Sequence, residues 1–157
     1  MSWRLPAFWF FYMAGLGLVY PFQAVWFQQS AGLTGAQLGV VLALRPIMGI
    51  IGQPLWGRVA DRTGARARVL SVVLGGAALA YLALPWMESA IAIAAVFTLA
   101  SFFGTSVMPL GTSVSMAALG DLASLRFGRI RVWGTVGYLV LWFPFRGSSR
   151  VGASAPT

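Results

Sequence analysis

The sequence predicts an all-α membrane protein with four full transmembrane helices and a partial fifth. Three observations predict it. The chain has 157 residues, of which 59% are hydrophobic and 9% charged, whereas globular domains carry about 25% charged residues. Its charges are unevenly placed, so that residues 5–44, 69–87, 89–120 and 132–145 contain none. The arginines between those runs gather in alternate connections, as the positive-inside rule requires. The spans are helical because an open sheet edge in lipid would leave backbone groups unpaired.

A span needs about 20 apolar residues to cross a hydrocarbon core about 30 Å thick. The first run therefore holds two spans, 6–27 and 36–57, split by the polar segment from Gln28 to Gln37. Met1-Ser2-Trp3-Arg4 before an apolar run has the look of a secretory signal. The run is long, lacks a clear small-residue cleavage site and precedes further spans, so it is read as a retained helix. The third and fourth spans are placed at 68–87 and 90–114, and the fifth begins near 127. After Arg131 only the uncharged residues 132–145 remain, worth about 21 Å at about 1.5 Å per residue. The chain thus divides into an incomplete bundle at 1–145 and a disordered tail at 146–157. Because Phe143-Pro144-Phe145-Arg146 ends the apolar pattern abruptly, a truncated or frameshifted reading frame is expected.

Charge placement also gives orientation and excludes several functions. Arg58, Arg62, Arg66 and Arg68 lie between spans two and three, and Arg126, Arg129 and Arg131 between four and five. The amino terminus and these basic connections are expected to face the cytoplasm, in an inner (plasma) membrane. The net charge of +8 then reflects topology and contact with the lipid bilayer, not nucleic acid. Cysteine and histidine are both absent, which excludes disulfides, thiolate chemistry and the usual structural zinc sites. Asp61, Glu88 and Asp121 all fall at or beyond span ends, so no acid–base group serves an enzyme in the bilayer. No enzyme activity, cofactor or metal is expected. Trp3, Trp9, Trp26, Trp56 and Trp86 are placed in aromatic belts near span ends, and the intramembrane glycines at helix contacts.

Two motifs and one charge carry the functional reading. The first motif runs from Gly57 through Asp61, Arg62 and Gly64 to Arg66, and is read as a tight basic loop. Gly57 would let helices approach closely, Gly64 would permit the turn, and Asp61 would pair with a basic residue or a helix amino terminus. A merely topogenic loop is the plainer alternative. In the second motif, Arg131, Thr135 and Tyr138 stand at i, i+4 and i+7, so a cation, a hydroxyl and an aromatic ring share one helical face. The plainer readings are a boundary arginine that snorkels to headgroups and a packing tyrosine. Arg45, followed by Pro46, interrupts the second span. A charge at that depth costs about 2.5–3.5 kcal/mol on insertion scales and usually faces a cavity or partner. Its partner should be a backbone carbonyl, a substrate anion or an acid from elsewhere.

The pattern Gly-x-x-x-Asp-Arg-x-Gly-x-Arg at 57–66 resembles the signature between spans two and three of the major facilitator superfamily. Ala65 departs from it, since a second basic residue is usual there. The segment Phe127 to Tyr138 is similar to the fifth span of the lactose permease group, whose members are proton-coupled oligosaccharide, nucleoside and phenylpropionate permeases. Gly17-Leu18-Val19-Tyr20-Pro21-Phe22 and Gln53-Pro54-Leu55-Trp56-Gly57 resemble its first and second spans. The resemblance covers residues 6 to about 140 and implies the amino-terminal part of a major facilitator helical bundle. It implies a conformational latch at Gly57, Asp61, Arg62, Gly64 and Arg66, and solute contacts from Arg131 and Tyr138. The sugar permease pairs this arginine with a carboxylate three residues after a proline in span four. Here Thr112 stands at that distance from Pro109, which argues against a galactoside.

The expected function is secondary active transport, as proton-coupled symport of a small polar organic solute such as a sugar, nucleoside or aromatic acid. Solute recognition is assigned to Arg131, Tyr138, Thr135 and Arg45. The expected partners are the solute, the proton, the bilayer and a missing carboxyl-terminal half, without which the chain is not expected to transport. The alternative is a small non-transporting membrane protein that associates with or regulates a related carrier.

Overall fold

The computed structural model describes residues 3–146. Among them there is no strand. Five helices follow one another: α1 (Arg4–Gln29), α2 (Gly35–Thr63), α3 (Arg66–Ala83), α4 (Ala90–Leu119) and α5 (Ala123–Arg146). A short 3₁₀ turn, Leu84–Trp86, extends α3, and another, Gly120–Leu122, leads into α5. Four of these segments are long and apolar enough to cross a membrane, with Arg66–Trp86 counted as one. The fifth helix starts four residues earlier than expected, and α1, α2 and α4 run two, six and five residues past their predicted ends. The reason is that lipid thickness sets where apolar residues must lie, not where hydrogen bonding stops. Apart from Arg146, the expected tail at 146–157 lies outside the described residues.

The element ends follow from local chemistry. At the end of α1, Gly32 takes φ 65°, and the Leu33 N–H donates back to the Phe27 carbonyl at 3.0 Å. The left-handed glycine thus turns the chain back on the last turn of α1, and both Phe27 and Leu33 then enter one buried apolar cluster. Thr34 opens α2 with a capping box: the Gln37 N–H donates to its hydroxyl, and its own N–H donates to the Gln37 side chain at 2.9 Å. Ser89 does similar work for α4, its hydroxyl accepting from the Ala92 N–H at 3.1 Å. Together these caps satisfy helix-end groups that would otherwise be orphaned.

The chain forms two compact units, Met1–Val25 with Leu119–Thr157, and Trp26–Ala118. In the first, α5 packs on the body of α1 through glycines. A Cβ on Gly134 would lie 2.9 Å from the Met13 side chain, and one on Gly137 would run into the Phe10 backbone. Trp9 is fully buried, edge-on to Phe127 with ring centroids 6.1 Å apart. It is therefore a packing residue and not part of an interfacial belt. Trp3, 74% exposed, keeps the belt-like position.

In the second unit, the core gathers Phe27, Leu33, Val41, Leu84, Ile93 and Phe97. Phe27 meets Phe97 edge-to-face at 5.4 Å, and Tyr81 packs on the same Phe97 ring at 6.4 Å. Small residues set the helix spacing here. A Cβ on Gly52 of α2 would sit 2.7 Å from the Phe102 carbonyl oxygen of α4, and one on Gly76 of α3 would sit 2.9 Å from the Phe103 ring. Backbone cannot step aside cheaply, so Gly52 fixes the approach of α2 to α4. By contrast, Cβ atoms on Gly39 and Gly57 would meet open space. The close approach expected at Gly57 is thus made at Gly52 instead, about one and a half turns earlier.

Two glycine substitutions separate packing from helix propensity. Gly39→Ala should be neutral or stabilising, by up to about 1 kcal/mol from propensity alone. Gly52→Ala should destabilise by about 1–3 kcal/mol through overpacking. Reversible unfolding of the purified chain in mixed micelles measures both, and equal stability of the two variants would contradict the α2–α4 contact.

Candidate functional site

The motif at 57–66 is mostly helix. Between Gly57 and Thr63 there is no helix breaker, so α2 continues through Arg58, Asp61 and Arg62. Only Gly64 and Ala65 form the turn, because Gly64 closes α2 in the left-handed conformation, φ 63°, which glycine adopts without steric cost. The Thr63 hydroxyl donates to the Val59 carbonyl at 2.8 Å and finishes the last turn. Reversing the chain there brings the first residue of α3 back to α2, and Arg66 Nη2 donates to Asp61 Oδ1 at 2.9 Å. Both side chains are well exposed, 46% and 67%, so the pair adds about 0–1 kcal/mol to stability. Its residue types and geometry therefore suit a switchable contact better than a structural one. The turn borders a concavity of about 710 Å³ that Val114 and Ala117 of α4 help to line.

On α5, Arg131 and Tyr138 both address α1 within the first unit. The Arg131 guanidinium carbon lies 6.0 Å from the centroid of the Trp9 ring, a cation–π contact. Tyr138 is half-buried against Gly17, where an added Cβ would come 3.1 Å from its ring and 2.9 Å from its carbonyl oxygen. Thr135 is exposed. Thr112, standing where a carboxylate was sought, donates its hydroxyl to the Met108 carbonyl of its own helix at 2.9 Å.

Arg45 belongs to the second unit. It lies about 15 Å along α2 from Gly35, at about 1.5 Å per residue, and it is half-buried. Its Nη1 donates to the Tyr81 hydroxyl of α3 at 3.1 Å. This hydroxyl is a neutral acceptor, carried by a ring already fixed in the core against Phe97. Arg45, Pro46, Gly49, Ile50 and Gln53 of α2 then line a concavity of about 410 Å³ with Thr105 of α4.

The sequence places Gln53 only in a helix-end pattern and gives Thr105 no role. Proline at 109 has no N–H, so the carbonyl of Thr105, four residues earlier, loses its helical donor. Gln53 Nε2 lies 3.4 Å from that oxygen and donates to it. This re-satisfaction by a neighbouring helix is what lipid demands of a proline-broken helix. The signal was present, because Arg45, Gly49 and Gln53 stand at i, i+4 and i+8 on one face of α2.

Comparison with known proteins agrees with the all-helical membrane architecture. The model of the MFS_1 like family matches residues 2–146. The maltose permease of Geobacillus stearothermophilus is 30% identical over 133 residues, covering 85% of this chain and 34% of that protein. The uncharacterized transporter YwbF of Bacillus subtilis (strain 168) is 31% identical over 142 residues, covering 88% of this chain and 35% of its own length. The uncharacterized MFS-type transporter YceJ of the same organism is 27% identical, with 92% and 38% covered. The chain therefore spans about a third of the length of these relatives. No solved structure is significantly similar. A multi-pass helical chain with this motif, matched over nearly all its length, belongs to the MFS_1 like family of the major facilitator superfamily.

Proposed function

We propose that this chain forms part of a secondary transporter that moves a small polar organic solute across a membrane by proton-coupled symport. The observation that carries the reading is Arg45, a cation at membrane depth, held by Tyr81 at the wall of a concavity between α2 and α4. A lipid-facing arginine would be expelled or would snorkel; one anchored beside an open concavity is retained for what enters it. The relatives are named transporters, one of them a maltose permease, and a sugar, a nucleoside or an aromatic acid is the solute class considered for this chain. Arg131, Thr135 and Tyr138 are assigned to solute recognition together with Arg45. Each relative is about three times as long as the matched region, so transport belongs to a carrier in which this chain supplies one part.

The turn at Gly64 supplies the second proposed element. Asp61 and Arg66, with Gly57, Arg62 and Gly64, act as a conformational latch on the cytoplasmic side of an inner membrane, the amino terminus also being cytoplasmic. An exposed ion pair contributes little to folding and can break and re-form at small cost, as a latch between two states requires. The Arg58, Arg62, Arg66 and Arg68 cluster supports that orientation through the positive-inside rule.

Uptake measurements in the complete carrier test both elements. Arg45→Leu should leave membrane insertion intact and lower uptake at least about tenfold, the effect of losing one charged hydrogen bond of about 1.5–3 kcal/mol. Unchanged uptake would remove Arg45 from the pathway. Asp61→Asn should leave thermal stability within about 1 kcal/mol and slow transport while solute still binds. A loss of binding equal to the loss of transport would contradict the latch.

A further inference from the structure

The concavity between α2 and α4 has a chemical bias that names its ligand. Its lining holds one guanidinium, from Arg45, one carboxamide, from Gln53, and no carboxyl group. Gly49 leaves its floor open: a Cβ there would stand 3.6 Å from Gln53 Nε2 and 3.7 Å from the Thr105 methyl carbon. Both polar groups are oriented by the fold. The Tyr81 hydroxyl fixes one arm of the guanidinium, and the carbonyl released by Pro109 holds the Gln53 amide. We propose that this concavity is an oxyanion subsite which takes the carboxylate head of an organic acid, with Arg45 as its charge partner and Gln53 as its orienting neighbour.

The class follows from the donors. A guanidinium fork matches a carboxylate in plane and spacing, and the Gln53 amide, with one N–H held by the Thr105 carbonyl, adds one donor beside it. A neutral polyol could use the Gln53 carboxamide oxygen and the Thr105 hydroxyl as acceptors but would leave the guanidinium charge uncompensated, whereas a carboxylate neutralises it. Low local dielectric strengthens attraction to an anion relative to water. Arg45 lies about 15 Å inside α2, which places it beyond the reach of lipid phosphates at the surface. The proposal rests on the transport reading above for its biological meaning, but the site itself can be tested without transport.

The chain contains no cysteine, so one reporter thiol can be introduced. Ile50 lines the concavity and is 77% exposed. The full chain carrying Ile50→Cys is placed in lipid nanodiscs and labelled with a sulfonatoethyl methanethiosulfonate anion and with its trimethylammonium cation counterpart. Adding Arg45→Gln should lower the anion-to-cation rate ratio about tenfold, as removal of one nearby charge would. Arg68→Gln should leave the ratio within about twofold, since screening hides a distant surface charge. Benzoate should slow labelling at least threefold, and benzamide should not. Arg45→Lys, which keeps the charge and loses the fork, should retain the ratio and lose most benzoate protection. It serves as the test if Arg45→Gln does not fold. A ratio indifferent to Arg45, equal protection by acid and amide, or a thiol that neither reagent reaches would each overturn the subsite. Unchanged uptake by Arg45→Leu in the complete carrier, with this labelling pattern intact, would count against the transport reading alone.

Discussion

Lipid offers no hydrogen bonds, and that single constraint organises this protein. Every backbone group at membrane depth must find its partner inside the chain, which explains helices throughout and caps at their ends. It also explains what happens where sequence breaks the rule. Pro109 releases the Thr105 carbonyl, and Gln53 reaches across from α2 to take it. Arg45 brings a charge into the same layer, and Tyr81 reaches from α3 to meet it. Along α4, Thr98, Thr105, Thr112 and Ser115 each donate a hydroxyl to the carbonyl four residues before, the usual resort of small polar side chains in an apolar setting.

Those repairs and the functional features coincide. Gln53, which satisfies the Thr105 carbonyl, lines the concavity beside Arg45, so the break in helix regularity at Pro109 places polar groups where an otherwise apolar wall would stand. Irregular or polar features at membrane depth are tolerated where they line a cavity or contact protein. The turn at Gly64 follows another logic, because outside the apolar layer water can satisfy exposed groups. There an ion pair between Asp61 and Arg66 is cheap to make and cheap to break.

How much of this was legible in the sequence depended on the range of the interaction. Charge-free runs located four spans, since hydrophobic thickness is written directly into composition. The turn at Gly64 and a basic partner for Asp61 were also readable, because they arise within a few residues of each other. Helix ends were less so: the 57–66 segment looked like a loop by its polarity, yet nothing in it stops a helix before Gly64. Tertiary partners were not readable at all. Tyr81 is 36 residues from Arg45 and Thr105 is 52 from Gln53, and no local pattern announces either pairing. Likewise, Trp9 has the composition of an interfacial anchor and the environment of a core residue, a choice made by Phe127 and Arg131 on a distant helix.

A structure of the complete carrier with its solute bound tests the account most directly. The account predicts an oxygen-bearing head of the solute within hydrogen-bonding distance of the Arg45 guanidinium, beside Gln53, with Tyr81 still accepting from Arg45. Solute bound elsewhere, with Arg45 turned to lipid headgroups or closed off by packed helices, would contradict it.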